Sequence, residues 1–299
     1  MKRLLLALLL LGAISSCISA RDRQAQQDST TFATDSLRHP KAPSVPAYVV
    51  FAGDTVRLDR PDFQERLDRE LLSYTYMHSL STMILKRAPR TFAMVEPILA
   101  AQGVHDDLKY LMAIESNLDP KALSKAGAAG LWQFMKSAAA TYGLEVSQEV
   151  DERYNIEKET IAACQYLKNS YRKYGDWMTA AASYNAGPGN INKAIAEQKQ
   201  SCALDLWLTE ETSRYMFRLL AAKLFFEHPA DFGFDISPEE AYPGLTPKEV
   251  VTVSDSIPSI VDFAIEHGTT YAQLRSANLW LIAPKLTNAS KKTYKIIIP

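Results

Sequence analysis

From residue 63 onward, apolar side chains recur at helical spacing. Phe63, Leu67, Leu71, Tyr74, Met77 and Ile84 fall three, four or seven apart up to Pro89, which predicts one long amphipathic helix. Ahead of it, residues 49–58 hold two β-prone runs flanking Ala52-Gly53-Asp54 and read as a hairpin, so 49–90 forms a hairpin-and-helix unit. Pro61-Asp62, a helix start, follows the hairpin. From Thr91 to Phe226 the helical pattern dominates. It is cut into short helices by Gly103, Asp119-Pro120, the Gly-Ala-Ala-Gly run at 127–130, Gly143, Gly175 and Gly187-Pro188-Gly189. The fold class is therefore mainly α, with one large helical domain over residues 91–235. Past Pro229 the prolines at 238, 243 and 247 mark a connection. A strand at 250–253, helices at 259–267 and 271–277, and a strand at 295–298 then outline a small α/β module over 248–299.

One position breaks this pattern. Leu108, Leu111, Met112 and Glu115 stand at i, i+3, i+4 and i+7 and share a helix face. Three are apolar, so the glutamate points where a core residue should go. A carboxyl on an apolar face is desolvated, which disfavours its charged form and raises its pKa. An acid still protonated near neutral pH can donate a proton to a leaving oxygen, the requirement for cleaving a glycosidic bond. Position alone leaves a structural reading equally open, with Glu115 snorkelling to the surface or paired with Lys109.

The ends and the composition change the picture in two ways. Met1-Lys2-Arg3 and the apolar run at 4–14, too short to span a bilayer comfortably, read as a secretory signal over residues 1–16. The run ends Ile14-Ser15-Ser16-Cys17, which resembles a bacterial lipobox and makes Cys17 the lipidation site. The chain is thus expected to be an exported, periplasmic-facing lipoprotein, held at the outer membrane through Cys17. Residues 17–48, rich in Ser, Thr, Gln, Arg and Pro, read as a disordered tether. The formal net charge of −1 argues against a nucleic-acid partner. Among five His there is no HExxH, and no Cys-x-x-Cys occurs, so neither a metal nor another cofactor is signalled. Cys164 and Cys202 could pair, but Cys164 lies in an apolar stripe and a buried free thiol is as good a reading.

Three further segments sit where helices start or stop, the positions from which side chains converge on a cleft. They are Ala-Ile-Glu-Ser-Asn at 113–117, Gly-Ala-Ala-Gly-Leu-Trp-Gln-Phe-Met at 127–135 and Ala-Ala-Ala-Ser-Tyr-Asn-Ala-Gly-Pro-Gly at 180–189. In this order they resemble the lytic transglycosylases of bacterial cell walls, which share the soluble-lytic-transglycosylase, goose-lysozyme-like fold. Glu115-Ser116 matches the Glu-Ser pair. Gly130, Leu131, Gln133 and Met135 match Gly-Leu-x-Gln-x-Met. Ala182, Tyr184, Asn185, Ala186, Gly187 and Gly189 match Ala-x-Tyr-Asn-Ala-Gly-x-Gly. Asp151-Glu152-Arg153, Tyr174-Gly175-Asp176-Trp177, Leu206-Trp207 and Glu211-Thr212-Ser213-Arg214-Tyr215 also look like the subgroup around membrane-bound lytic murein transglycosylase D. The likeness covers roughly residues 60–235.

The resemblance implies a lysozyme-like catalytic domain that acts on peptidoglycan glycan strands without a cofactor. Glu115 would protonate the oxygen between N-acetylmuramic acid and N-acetylglucosamine, then take the proton of the muramic C6 hydroxyl as that oxygen closes onto C1. The product is a 1,6-anhydromuramic end. Ser116, Gln133 and Tyr184 would hold N-acetyl and hydroxyl groups, while Met135 and Asn185 shape the cleft. Two alternatives stay open. One is a hydrolysing muramidase using a second carboxylate from Asp106, Asp107, Asp119, Glu145, Asp151 or Glu152; the other is a catalytically silent peptidoglycan-binding lipoprotein. The tail module outlines a degenerate lysin motif, with Ser254-Asp255-Ser256 where that motif usually has Gly-Asp-Thr, so sugar binding and plain packing are both readings of it.

Overall fold

The structure is a computed structural model describing residues 41–289 and 291–299. The signal segment, Cys17 and the tether as far as residue 40 lie outside the described residues. Tyr48–Phe51 (β1) pairs antiparallel with Asp54–Arg57 (β2). Both turn residues have positive φ, 51° at Ala52 and 91° at Gly53, as a tight hairpin turn requires. The Asp107 carboxylate accepts the Ala52 N–H at 2.7 Å and the Lys223 ammonium at 2.9 Å, pinning the hairpin to the helical body.

That body contains helices α1 (Pro61–Tyr76), α2 (His78–Gln102), α3 (Tyr110–Ser116), α4 (Lys136–Thr141), α5 (Ile156–Tyr174), α6 (Trp177–Ala186), α7 (Pro188–Gln198) and α8 (Glu210–Glu227). Helix α8 is the central one: it packs against α1, α3 and α6 and buries Tyr215, Met216, Phe217, Leu219, Leu220 and Phe225. The ends follow local chemistry. Asn155 caps α5 by accepting the Lys158 N–H at 3.1 Å, and Gly175 closes that helix in the left-handed conformation. Asp176 then caps α6 through the N–H groups of Met178 and Thr179.

The single helix expected to end at Pro89 is instead two. The chain breaks at Met77 (φ −82°, ψ 53°), where no glycine or proline marks a stop, and α2 runs through both Pro89 and Pro97. An interior proline removes one backbone hydrogen bond and costs about 3 kcal/mol. The stripe Ile84, Leu85, Ala88, Val95 and Leu99 is buried, in a helix packed on α5. Several buried aliphatic side chains at about 1.5–3 kcal/mol each outweigh the loss. Leu108 also departs from expectation. It lies in a 3-10 turn, Asp106–Lys109, with α3 beginning only at Tyr110.

The tail module forms with its expected order: β3 (Glu249–Val253), α9 (Ile260–Glu266), α10 (Tyr271–Ala277) and β4 (Tyr294–Ile298), the strands antiparallel with Val251 opposite Ile296. Its core includes a residue from outside it. Val150 packs with Ile257, Ile260, Leu274, Trp280 and Leu281. Around this plug Asp151 N donates to Trp280 O at 2.8 Å, and Ile282 N to Glu149 O at 2.9 Å. The Glu149 carboxylate accepts the Thr287 N–H and hydroxyl, both at 2.6 Å. Cys164 and Cys202 are unpaired, and burial pushes the Cys164 thiol up to about 12.

Candidate active site

Glu115 sits in the last turn of α3, a helix of seven residues closed by Asn117 at φ 53°. Two guanidinium groups hold this end. Arg218 donates to Ile114 O at 2.9 Å, while Arg87 donates to Asn117 O at 2.9 Å and to Asp119 at 3.2 Å. Cations at a helix C-terminus complement its carbonyls and its dipole, so the turn that aims Glu115 is fixed from both sides.

The Glu115 carboxyl keeps only part of its surface in contact with solvent, and Tyr215 donates a hydrogen bond to its Oε1 at 2.7 Å. Burial pushes its pKa up to about 7; Tyr215 and the Arg218 charge pull it down, and the Glu211 charge adds to the rise. Lys109 is engaged elsewhere, with Glu96 and Asp106, so the structural pairing with Glu115 is not made. Burial and then the charge of Glu115 hold the hydroxyls of Tyr184 and Tyr215 well above their usual range.

The glycine-rich segment is a tight loop built on a buried acid. The Glu159 carboxyl accepts the N–H of Leu131 at 3.3 Å and of Trp132 at 3.1 Å, and burial raises its pKa well above the ordinary range. Trp132 is fully buried, its indole N–H donating to Thr160 at 3.0 Å. Arg153, paired with Asp151, donates to the carbonyls of Gly127 and Phe134 and so closes the loop from outside. Gln133 stands at φ 51° and donates its amide N–H groups to Ala122 O and Gly130 O. Its amide oxygen is what remains for a ligand.

The other residues singled out in the sequence divide by what their polar atoms already do. Ser116 is buried and donates to Met112 O at 2.9 Å within its own helix. Tyr184 donates to Trp132 O at 2.8 Å, tying the third segment to the second. Asn185 Oδ1 accepts from Thr212 at 2.9 Å, leaving its amide N–H groups. Met135 is 44% exposed and opens α4. All six acids named as possible second carboxylates are bound to cations: Asp106 to Lys109, Asp107 to Lys223, Asp119 to Arg87, Glu145 to Lys292, Asp151 to Arg153 and Glu152 to Lys158. Sequence reasoning missed Glu159, which looks like any acid in a first helical turn. It also missed the roles of Tyr215 and Arg218, although Tyr215 closes the noted Glu-Thr-Ser-Arg-Tyr run.

Comparison with known proteins meets this geometry. Residues 99–204 match the Transglycosylase SLT domain, and residues 249–299 match the Soluble lytic transglycosylase C-terminal LysM-like domain. Membrane-bound lytic murein transglycosylase D of Escherichia coli K12 is 28% identical over 191 residues, covering 61% of this chain and 41% of that protein. The peptidoglycan transglycosylase gp16 of Escherichia phage T7 is 36% identical over 123 residues, 40% of this chain and 9% of the phage protein. The chain thus spans less than half the length of these curated relatives. Among solved structures, an inactive mutant of the lytic transglycosylase Slt from Pseudomonas aeruginosa is 21% identical, covering 52% of this chain and 26% of that one, at a TM-score of 0.39. Glu115, the glycine-rich loop and Tyr184 all fall within the matched residues, and the chain carries an SLT transglycosylase domain followed by a soluble-lytic-transglycosylase-type LysM-like domain.

Proposed function

We propose that this protein is a peptidoglycan lytic transglycosylase with Glu115 as its acid and base. The observation that carries the reading is the Glu115 carboxyl itself: half-buried, near pKa 7, free of any cation within ion-pair distance among the described residues, and bonded to the Tyr215 hydroxyl. A group balanced in this way gives a proton and takes one back at the same pH. Glu115 protonates the glycosidic oxygen, the bond from that oxygen to muramic C1 breaks, and an oxocarbenium-like sugar forms. The carboxylate then removes the C6 hydroxyl proton as O6 bonds to C1. The carboxyl is restored and no water is consumed. Because the nucleophile belongs to the same sugar, its effective concentration is high and a second carboxylate is not needed.

The free groups around Glu115 suit the substrate: the Gln133 amide oxygen can accept an N-acetyl N–H, and the Asn185 amide can donate to a hydroxyl. The Ser116 and Tyr184 hydroxyls are better read as supports of α3 and of the loop than as direct sugar contacts. Export and lipid attachment at Cys17, at the outer membrane, are supported by the cationic start, the apolar run and Ile14-Ser15-Ser16-Cys17. A glycan strand of the periplasmic wall is then the partner within reach.

Digestion of purified sacculi tests the reaction class by mass. Muropeptides with 1,6-anhydro ends are expected; products each heavier by one water would replace this reading with hydrolysis. The hydrolytic reading has one observation in its favour. Glu211, exposed and one turn before Tyr215 on α8, adds its charge to the rise of Glu115, and it is the carboxylate that would have to activate the water.

Tyr215→Phe gives a second check. The lost hydrogen bond is one that lowers the Glu115 pKa, so the acid form persists to higher pH. The descending limb of the pH–rate profile should move to higher pH, while kcat falls about tenfold for the loss of a charge-assisted bond. An unmoved limb would remove Tyr215 from the proton chemistry.

A further inference from the structure

Trp207 has no place in the cluster around Glu115, and its setting is unusual for a tryptophan. It is 86% exposed, whereas Trp132 and Trp280 are buried and Trp177 stacks on Tyr171 at 4.2 Å. Its backbone is nonetheless held firmly. The Gln198 side chain, at the end of α7, accepts the Trp207 N–H at 2.6 Å and donates to its carbonyl at 3.0 Å. Two residues on, Thr209 caps α8. A fixed mount thus carries an indole out into solvent.

Trp207 is among the residues that line a cavity of about 210 Å³. It shares Arg60, Phe63, Leu204 and Asp205 with a neighbouring cavity of about 440 Å³, so the two form one groove along the start of α1. Neither is lined by Glu115, Tyr184 or Tyr215; α8 contributes Ser213, Met216 and Phe217, a different face from the one carrying Tyr215. The charges in the smaller cavity are Arg60, Asp62, Arg66 and Asp205. Arg60 is bonded to both aspartates. Arg66 has no ion-pair partner among the described residues, and its guanidinium lies 6.0 Å from the Phe217 ring centroid. Arg66 stands near enough to Asp62 and Glu210 for its charge to add to the hydrogen bonds that hold both carboxyls below their usual range, yet it is bonded to neither. The groove therefore offers a flat aromatic face and, on the same lining, one planar cation whose hydrogen-bonding fork is free of an ion-pair partner among the described residues.

We propose that Trp207 and Arg66 form a second peptidoglycan-binding site, separate from the cleft at Glu115. The indole stacks on the C–H face of an N-acetyl sugar ring, and the Arg66 guanidinium takes a carboxylate of the stem peptide. An aromatic plane fits the apolar face of a pyranose, and an Arg fork fits a carboxylate bidentately. A glycan strand bearing acidic stems presents both groups together. The choice of ligand rests on the transglycosylase reading; the location of the site does not.

The test uses the Glu115→Gln chain, so that no ligand is consumed, with two probes: an N-acetylglucosamine tetramer and a stem-bearing disaccharide tetrapeptide. Trp207 supplies the readily quenched tryptophan emission, so either probe at saturation should shield it from acrylamide. Adding Trp207→Phe should remove most of the quenchable fraction and all of its shielding by the probes, leaving only the contribution of the partly exposed Trp177. Adding Trp207→Ala should weaken binding of both probes about tenfold, and Arg66→Ala should do so only for the stem-bearing one. Unchanged quenching at saturation, or unchanged affinities in the Trp207→Ala chain, overturns the site. An Arg66→Ala chain that weakens neither probe, or both equally, overturns the carboxylate contact. Product masses from the parent chain report separately on the reaction: anhydro products with an unshielded Trp207 remove only the site, and a shielded Trp207 with hydrolytic products removes only the reaction.

Discussion

Glu115→Gln is expected to lower glycan cleavage about 10³-fold while leaving co-sedimentation with insoluble peptidoglycan intact. The amide keeps the shape of the carboxyl, and its oxygen can still accept from Tyr215, but it has no proton to give and cannot take one. On the proposed mechanism the working form in the parent chain is the protonated one. With its pKa near 7, kcat should fall as pH rises through neutrality. Stability should carry the same signature with a definite sign. The folded carboxyl binds its proton more tightly than the unfolded one, so between pH 4.5 and about 7 the native state holds more protons and stability falls as pH rises. Glu115→Gln removes that penalty. At pH 8 the variant should be more stable than its parent by up to about 3 kcal/mol, since each pKa unit corresponds to about 1.4 kcal/mol. The difference should close below pH 4.5. Urea unfolding at the two pH values measures it, and a gap of equal size at both would mean that the carboxyl is not desolvated. Cleavage at the parent rate would remove Glu115 from the chemistry.

Gly130→Ala should be strongly destabilising. A Cβ at Gly130 would stand 1.8 Å from Arg153 O and 2.4 Å from Glu159 Oε2, at a φ of +84°. Neither neighbour can give way. The first is backbone, and the second is a buried carboxyl already holding the N–H groups of Leu131 and Trp132. Relief requires moving the loop off Glu159, which leaves buried donors and acceptors unpaired at about 1–3 kcal/mol each. The expected loss exceeds about 3 kcal/mol, seen as a large drop in the urea midpoint or failure to recover soluble protein. Gly127→Ala is the control. Its φ is similar, +88°, but nothing lies within 4 Å, so only the left-handed backbone counts against it, at about 1–2 kcal/mol. Equal effects at the two glycines would mean that the loop is not seated on Glu159.

Chain order alone determined the features that repeat or break within a few residues. The helical body, the caps at Asn155 and Asp176, the hairpin and the strand–helix–helix–strand tail each rest on a local period or a local stop. So does Glu115, legible as one acid at an apolar position. Local rules failed where packing opposed them. Pro89 marked a helix end, but the buried stripe from Ile84 to Leu99 carried α2 onward, and the break fell at Met77, which has no signature of its own. Only the tertiary structure decided the site's electrostatics, because its partners are far apart along the chain. Tyr215 reaches Glu115 across 100 residues, and Glu159 reaches Leu131 across 28. The same holds for Val150, an unremarkable valine until it fills the core of a module that starts some hundred residues later. A short window of sequence records which side chains a helix turns inward. It carries no trace of what those side chains meet there, since that depends on how the helices pack and on how little water remains between them.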